Sequence, residues 1–325
     1  MSFAWLTWSN PVSIWWGFLL IVSIVNVALW LLLARHPREA GREHRPGLLG
    51  LEPMVLLSAA YVFGCAFRAI LPRADVERIC LFDTWLSSVF IGRSVATVAE
   101  LCFVMQWAIL LHHLAGWARS NVTRSVAGVI VPLIIVAECC SWYAVITANY
   151  LGNVIENSLW AVTFLAIAVA LVPPLTRFIG VARLAMAAAI AGIAGYLTFM
   201  STVDIPMYFG RWQADLASGK ELFGLFGGLY DASAHWVVTH DIVHWRDEIA
   251  WKTLYFSAAV WSSLALGGFP LIKHALPRYR DGRGSWRAAR RTLSGRAVGQ
   301  WLWPPMLTPG SVPSRVSRPR ARSPR

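Results

Sequence analysis

The segment Ala234-His-Trp-Val-Val-Thr-His-Asp-Ile-Val-His-Trp-Arg-Asp-Glu-Ile gathers side chains that can bind a metal or move protons. His240 and His244 stand four apart and Glu248 continues the series, so a helix would place all three on one face. Two imidazoles at that spacing are a common ligand pair for zinc. His235 follows Asp231 at the same interval, and Asp241 and Asp247 are at hand to orient the rings. The expected metal set is His240 and His244 with one of Glu248, His235 or Asp204, and zinc is the expected ion. Position 241 is Asp, so the HExxH signature of zinc proteases is not met. Without a metal, the segment reads as an amphipathic helix lying in a membrane interface, with Trp236, Val237, Val243, Trp245 and Ile249 on its apolar side.

A second group of chemistry-bearing residues interrupts apolar runs. Arg93 and Glu100 are seven apart and share a helix face. Glu138 precedes Ser141, Trp142 and Tyr143, and the next run opens with Asn153, Glu156 and Asn157. Ionisable residues inside membrane helices are energetically expensive and mark functional sites by default. Glu100 and Glu138 are the expected catalytic acid or base, and Arg93 the group that holds an anionic headgroup. The alternative makes Glu100, Glu138 and Glu156 an ion or proton path gated by the His-bearing loop.

The elements that must position these residues are membrane helices. The chain has 325 residues, 57% hydrophobic and only 14% charged, with 18 Trp. A soluble domain carries about 25% charged residues, so a soluble fold is excluded, and abundant aromatics suit two membrane interfaces. A helix needs roughly 20 apolar residues to cross a bilayer. Such runs fall near 12–34, 53–71, 88–113, 125–147, 154–175, 181–203 and 253–273. The expected fold is all-α: a polytopic integral membrane protein with seven transmembrane helices. A short extracytoplasmic amphipathic helix is expected before the last span, within a loop over 204–252.

Orientation follows from charge. The connections holding Arg35 to Arg45, Arg119 and Arg124, and Arg177 and Arg183 are basic, and the intervening ones are acidic or neutral. Residues 278–325 hold twelve Arg and one Asp, which is +11 of the net +12. The positive-inside rule puts the N-terminus outside and the C-terminus in the cytoplasm. The chain then divides into a membrane domain over 1–275 and a basic, largely disordered tail over 276–325. That tail is expected to meet anionic inner-leaflet lipid and no nucleic acid. The expected location is a bacterial inner membrane.

Four of the five cysteines lie in apolar runs, so no disulfide framework is expected. No GxSxG and no phosphate-binding Gly-rich motif occurs. These acidic and histidine residues fall in the outer half of the membrane or outside it, whereas His112 and His113 lie at the inner end of the third run. The expected function is a membrane-embedded enzyme, metal-dependent and acting on a lipid or lipid-linked substrate at the extracytoplasmic face. The alternatives are an ion- or proton-coupled transporter or channel using the buried carboxylates, and a non-catalytic heptahelical subunit.

Overall fold

The computed structural model describes residues 5–35 and 52–272. The expected basic tail over 276–325 lies outside the described residues. Six helices are long and apolar enough to cross a membrane: Pro11–Arg35, Pro53–Ile70, Val89–Ala118, Asn121–Thr147, Tyr150–Arg177 and Gly180–Ser218. The described chain is predominantly helical, and six helices of this length and apolarity point to a membrane protein. The first five of these helices are α1 to α5. The sixth is α6 (Gly180–Phe199), a π turn (Met200–Asp204) and α7 (Ile205–Ser218) in unbroken succession. Then come α8 (Leu225–Ala234) and a last long helix, made of α9 (Ile242–Leu254), a second π turn (Tyr255–Ala259) and α10 (Val260–Ile272).

Local chemistry fixes the tight reversals that matter most. α3 ends on Arg119 in the left-handed region (φ 47°), and Ser120 caps the start of α4 by accepting the Thr123 N–H at 3.2 Å. α4 ends the same way on Ala148 (φ 54°), and Asn149 caps α5 by accepting the Leu151 N–H at 3.0 Å. Each linker is two residues long, so α3, α4 and α5 run antiparallel, side by side. α1 and α10 flank α2, and α2 lies on α3. Side-chain amides and hydroxyls join these helices inside the apolar core. Gln106 donates to the Met54 and Ser263 carbonyls at 3.0 and 3.2 Å, and Asn26 donates to the Phe256 carbonyl at 2.9 Å. Such bonds hold helices together where no water competes.

One end of the bundle carries a cap. β1 (Arg73–Ala74) pairs antiparallel with β2 (Ile79–Cys80), and β2 pairs in parallel with β3 (Val237–Val238). Arg78, at the hairpin turn with φ 55°, ties the cap together. It donates to the Asp231 carboxylate on α8 at 2.7 Å, to the Asp75 carbonyl at 2.7 Å and to the Val145 carbonyl on α4 at 2.6 Å.

Two expectations about the 204–252 stretch are corrected. The sixth helix does not stop at its hydrophobic limit, because 205–218 continues as an amphipathic helix; the stretch is largely helical. The helix expected around His235 to Glu248 is not a separate interfacial element. Residues 235–241 are extended or irregular, and the helix that begins at Ile242 runs on without a break to Ile272. Asp241 sets that boundary, since its side chain accepts the Val243 N–H at 2.9 Å and so caps the helix from outside it.

Candidate functional site

The helical hairpin α3–α4–α5 and the depth of four residues along it build the site. Arg93 and Glu100 lie four and eleven residues into α3, Glu138 nine residues before the end of α4, and Glu156 six residues into α5. At 1.5 Å per residue, all four sit roughly 6 to 17 Å in from the capped helix ends. All are buried.

Arg93 is the centre. Its Nη2 donates to Glu100 Oε2 and to Glu138 Oε2, each at 2.9 Å, and its Nη1 lies 3.4 Å from Glu156 Oε1. The three carboxylates each offer an oxygen within 4.8 Å of the others. Thr97 donates to Glu138 Oε2 at 2.6 Å and receives the Trp142 indole N–H at 3.1 Å. Asn153 donates to Glu156 Oε2 at 3.3 Å. A second arginine, Arg68 on α2, comes within 3.6 Å of Glu100 Oε1, and the Tyr255 hydroxyl donates to that same oxygen at 2.7 Å. Tyr255 opens the second π turn, a distortion that recurs at functional sites.

The cluster is not saturated. Glu138 Oε1, Arg93 Nε and Asn153 Oδ1 are buried without a hydrogen-bond partner among the described residues. Ser141 follows Glu138 by one helical turn and faces Glu156. Unmet donors and acceptors in a dry interior are costly, and their concentration here makes this cluster the candidate site.

The residues expected to hold a metal are not gathered there. His240 precedes α9; its Nε2 lies 2.9 Å from the Leu81 carbonyl and its ring stacks on Trp5 at 4.2 Å. His244 is exposed on the first turn of α9. The two therefore do not share a helical face, because the Asp241 cap separates them. His235 pairs with Asp231 at 2.9 Å. Glu248 is buried against Lys252 at 2.5 Å, with Arg211 at 3.8 Å. Asp204, buried at the end of the first π turn, accepts from Asn157 at 2.6 Å. Four of the five expected ligands are thus engaged by different neighbours, and His244 faces away from them at the surface. Among the described residues, the three-ligand grouping is instead Glu100, Glu138 and Glu156.

The sequence reading missed Arg68, Thr97 and Tyr255. Arg68 carried a signal, being an arginine inside the apolar run at 53–71. Thr97 and Tyr255 carried none, because an isolated hydroxyl is unremarkable in a membrane helix.

Comparison with protein-family models, with curated proteins and with solved structures finds no match. What the site can do therefore follows from its geometry.

Proposed function

We propose that this is a proton-coupled membrane transporter in which the Arg93-centred cluster takes up and releases one proton. The observation that carries the reading is the charge sum of the site. Arginine stays charged at any physiological pH. Two arginines, Arg68 and Arg93, face three carboxylates, Glu100, Glu138 and Glu156. Fully ionised, the group carries one surplus negative charge in an apolar bundle, where an uncompensated charge is costly. One proton brings the sum to zero. A divalent metal would overshoot to a surplus positive charge. Asp75 and Arg73, the next charged groups within electrostatic reach, add one of each sign and leave the balance unchanged.

In this reading the chain spans the membrane seven times, the helix over 242–272 supplying the last span through its apolar part. The N-terminus is outside, the cap faces the extracytoplasmic side, and the basic connections and tail lie in the cytoplasm of a bacterial inner membrane. The packing of α10 on α2 and its polar bonds to Asn26, Ser58 and Gln106 support its place in the bundle.

The test needs no knowledge of the transported solute. Vesicles bearing the purified protein are adsorbed on a solid-supported electrode and given a step in pH. A transient charge displacement is expected in the wild type and is lost when Glu100, Glu138 and Glu156 are together replaced by Gln. No displacement beyond that of empty vesicles would sink the proposal.

A metal-dependent, lipid-modifying enzyme is the second reading. The observation that favours it is the same 4.8 Å grouping of carboxylates, which would replace the histidines as ligands. About one metal ion per purified chain, lost in the triple Gln variant, would favour it over proton coupling.

A further inference from the structure

A second charged group lies between the cap and the cluster just described. Arg211 on α7 pairs with Glu77 of the hairpin, with Asp247 at 3.0 Å and with Glu248 at 3.8 Å on α9. Glu248 in turn holds Lys252. Burial is graded along this group. The side chains of Asp247, Arg211 and Glu248 are 43%, 23% and 6% exposed, so one end touches solvent and the other is sealed. Burial first, and then the nearby Glu248 carboxylate, push the Glu77 carboxyl up from its usual range.

Asp204 lies at the sealed end. It is 3% exposed and makes no ion pair among the described residues; its one hydrogen bond comes from Asn157. Glu248, Lys252 and Arg211 act on it electrostatically from α9 and α7, and Tyr208 faces it from α7. Tyr196 on α6 is within electrostatic reach of Asp204 on one side and of Glu100 and Glu156 on the other. Asn157, which holds Asp204, is the chain neighbour of Glu156, which holds Arg93. A buried carboxylate with no cation paired to it is therefore placed between a solvent-connected charged group and an incompletely satisfied one. It also closes the first π turn, as Tyr255 opens the second.

We propose that Asp204 is the intermediate carrier of an access route from the capped face, passing a proton between the Asp247–Arg211–Glu248 group and Glu156. The step is a plain proton transfer. The Asp204 carboxylate takes a proton from the solvent side, and that O–H bond breaks as the proton passes to the Tyr196 oxygen while the Tyr196 hydroxyl proton passes to the Glu156 carboxylate. No electron pair changes owner between heavy atoms. The inference rests on the proton-coupled reading of the inner cluster.

The experiment is the same pH step, read for rate and total charge separately. Asp204→Asn is expected to slow the displacement by about a hundredfold, the scale a positioned proton-transfer group contributes. The total charge should be retained, because Glu156 and its partners are intact. Asp204→Glu should restore the rate. Wild-type kinetics in Asp204→Asn would overturn the route while leaving the inner site standing. A silent wild type would overturn both. Should Asp204→Asn fail to fold, Asn157→Leu and Asp247→Asn replace it. The first removes the Asp204 donor and the second the solvent-exposed end, and unaltered rates in both would overturn the route.

Discussion

Arg93 and Glu138 join α3 to α4 through one 2.9 Å bond, and the accepting oxygen also takes the Thr97 hydroxyl at 2.6 Å while the other carboxylate oxygen of Glu138 takes none. Both donors to that oxygen come from α3, so this pair sets how those helices meet. It also makes Arg93 the one cation in direct contact with all three carboxylates among the described residues.

Removing that cation should be severe. Arg93→Met leaves Glu100, Glu138 and Glu156 buried with only Arg68 nearby, and losing one partner of a buried pair costs about 3–5 kcal/mol. A large fall in the unfolding temperature of detergent-purified protein is the expected outcome. Adding Glu138→Gln and Glu156→Gln to Arg93→Met should recover much of it. A variant as stable as wild type would contradict the central place given to Arg93.

Neutralising carboxylates one at a time tests the charge sum directly. With three acids against two arginines, any single Glu→Gln change leaves the site balanced without a proton, so each should change stability by no more than about 1 kcal/mol. A second change leaves a surplus positive charge and should cost more than twice the first. Thermal unfolding of the three single and three double variants gives the comparison. Simple additivity across the doubles would mean that the site is not balanced by a proton.

The contrast between what the sequence discloses and what it hides runs along physical lines. Hydrophobic runs locate α1 to α5 closely, because desolvation of about 20 residues is a signal no other feature imitates. The juxtaposition of Arg93 with Glu100 is also legible, since seven residues is two helical turns. Glu138 and Glu156 can be named as isolated acids in apolar surroundings, but their convergence on Arg93 depends on two linkers of two residues each. The end of the sixth helix is hidden, because hydropathy falls at Asp204 while the backbone remains helical to Ser218. The histidine segment misleads for a related reason. HxxxH has a helical period, yet Asp241 inside it is a helix cap, and a cap ends the period at the point where it is being counted.

The cap should weaken in acid. Burial alone would raise the Asp231 carboxyl, but hydrogen bonds from Arg78 and His235 outweigh it and hold it below its ordinary value of 3.8. A carboxyl whose folded pKa lies below its unfolded one stabilises at every pH above the unfolded value. That contribution fades as pH falls through the folded value, so it should be lost below about pH 4. Hydrogen exchange at the amides of Val237 and Thr239, which bond the hairpin, reads this locally. Their protection should drop in acid in the wild type, and Asp231→Asn should lower it at neutral pH and flatten the acid limb. An equally steep limb in Asp231→Asn would assign the effect to another group.

Close approach of α5 to α4 is the last requirement of the site, and Gly152 supplies it. A Cβ there would stand 2.5 Å from the Cys140 carbonyl oxygen and 2.7 Å from the Ala144 methyl, both on α4. Backbone cannot yield as a flexible side chain does, so Gly152→Ala must push the start of α5 outward. Overpacking of this kind costs about 1–3 kcal/mol. Glu156, one turn further along α5, would move with it and lose its 3.4 Å approach to Arg93. Gly128, also on α4, has nothing within 4 Å of its Cβ position, and Gly128→Ala should be neutral or raise stability by up to about 1 kcal/mol. Unfolding temperatures of the two variants, measured beside the pH-step charge, separate the effects. Gly152→Ala should lose both stability and displaced charge while Gly128→Ala keeps both, and a Gly152→Ala protein with full displaced charge would show that Glu156 is not part of the proton site.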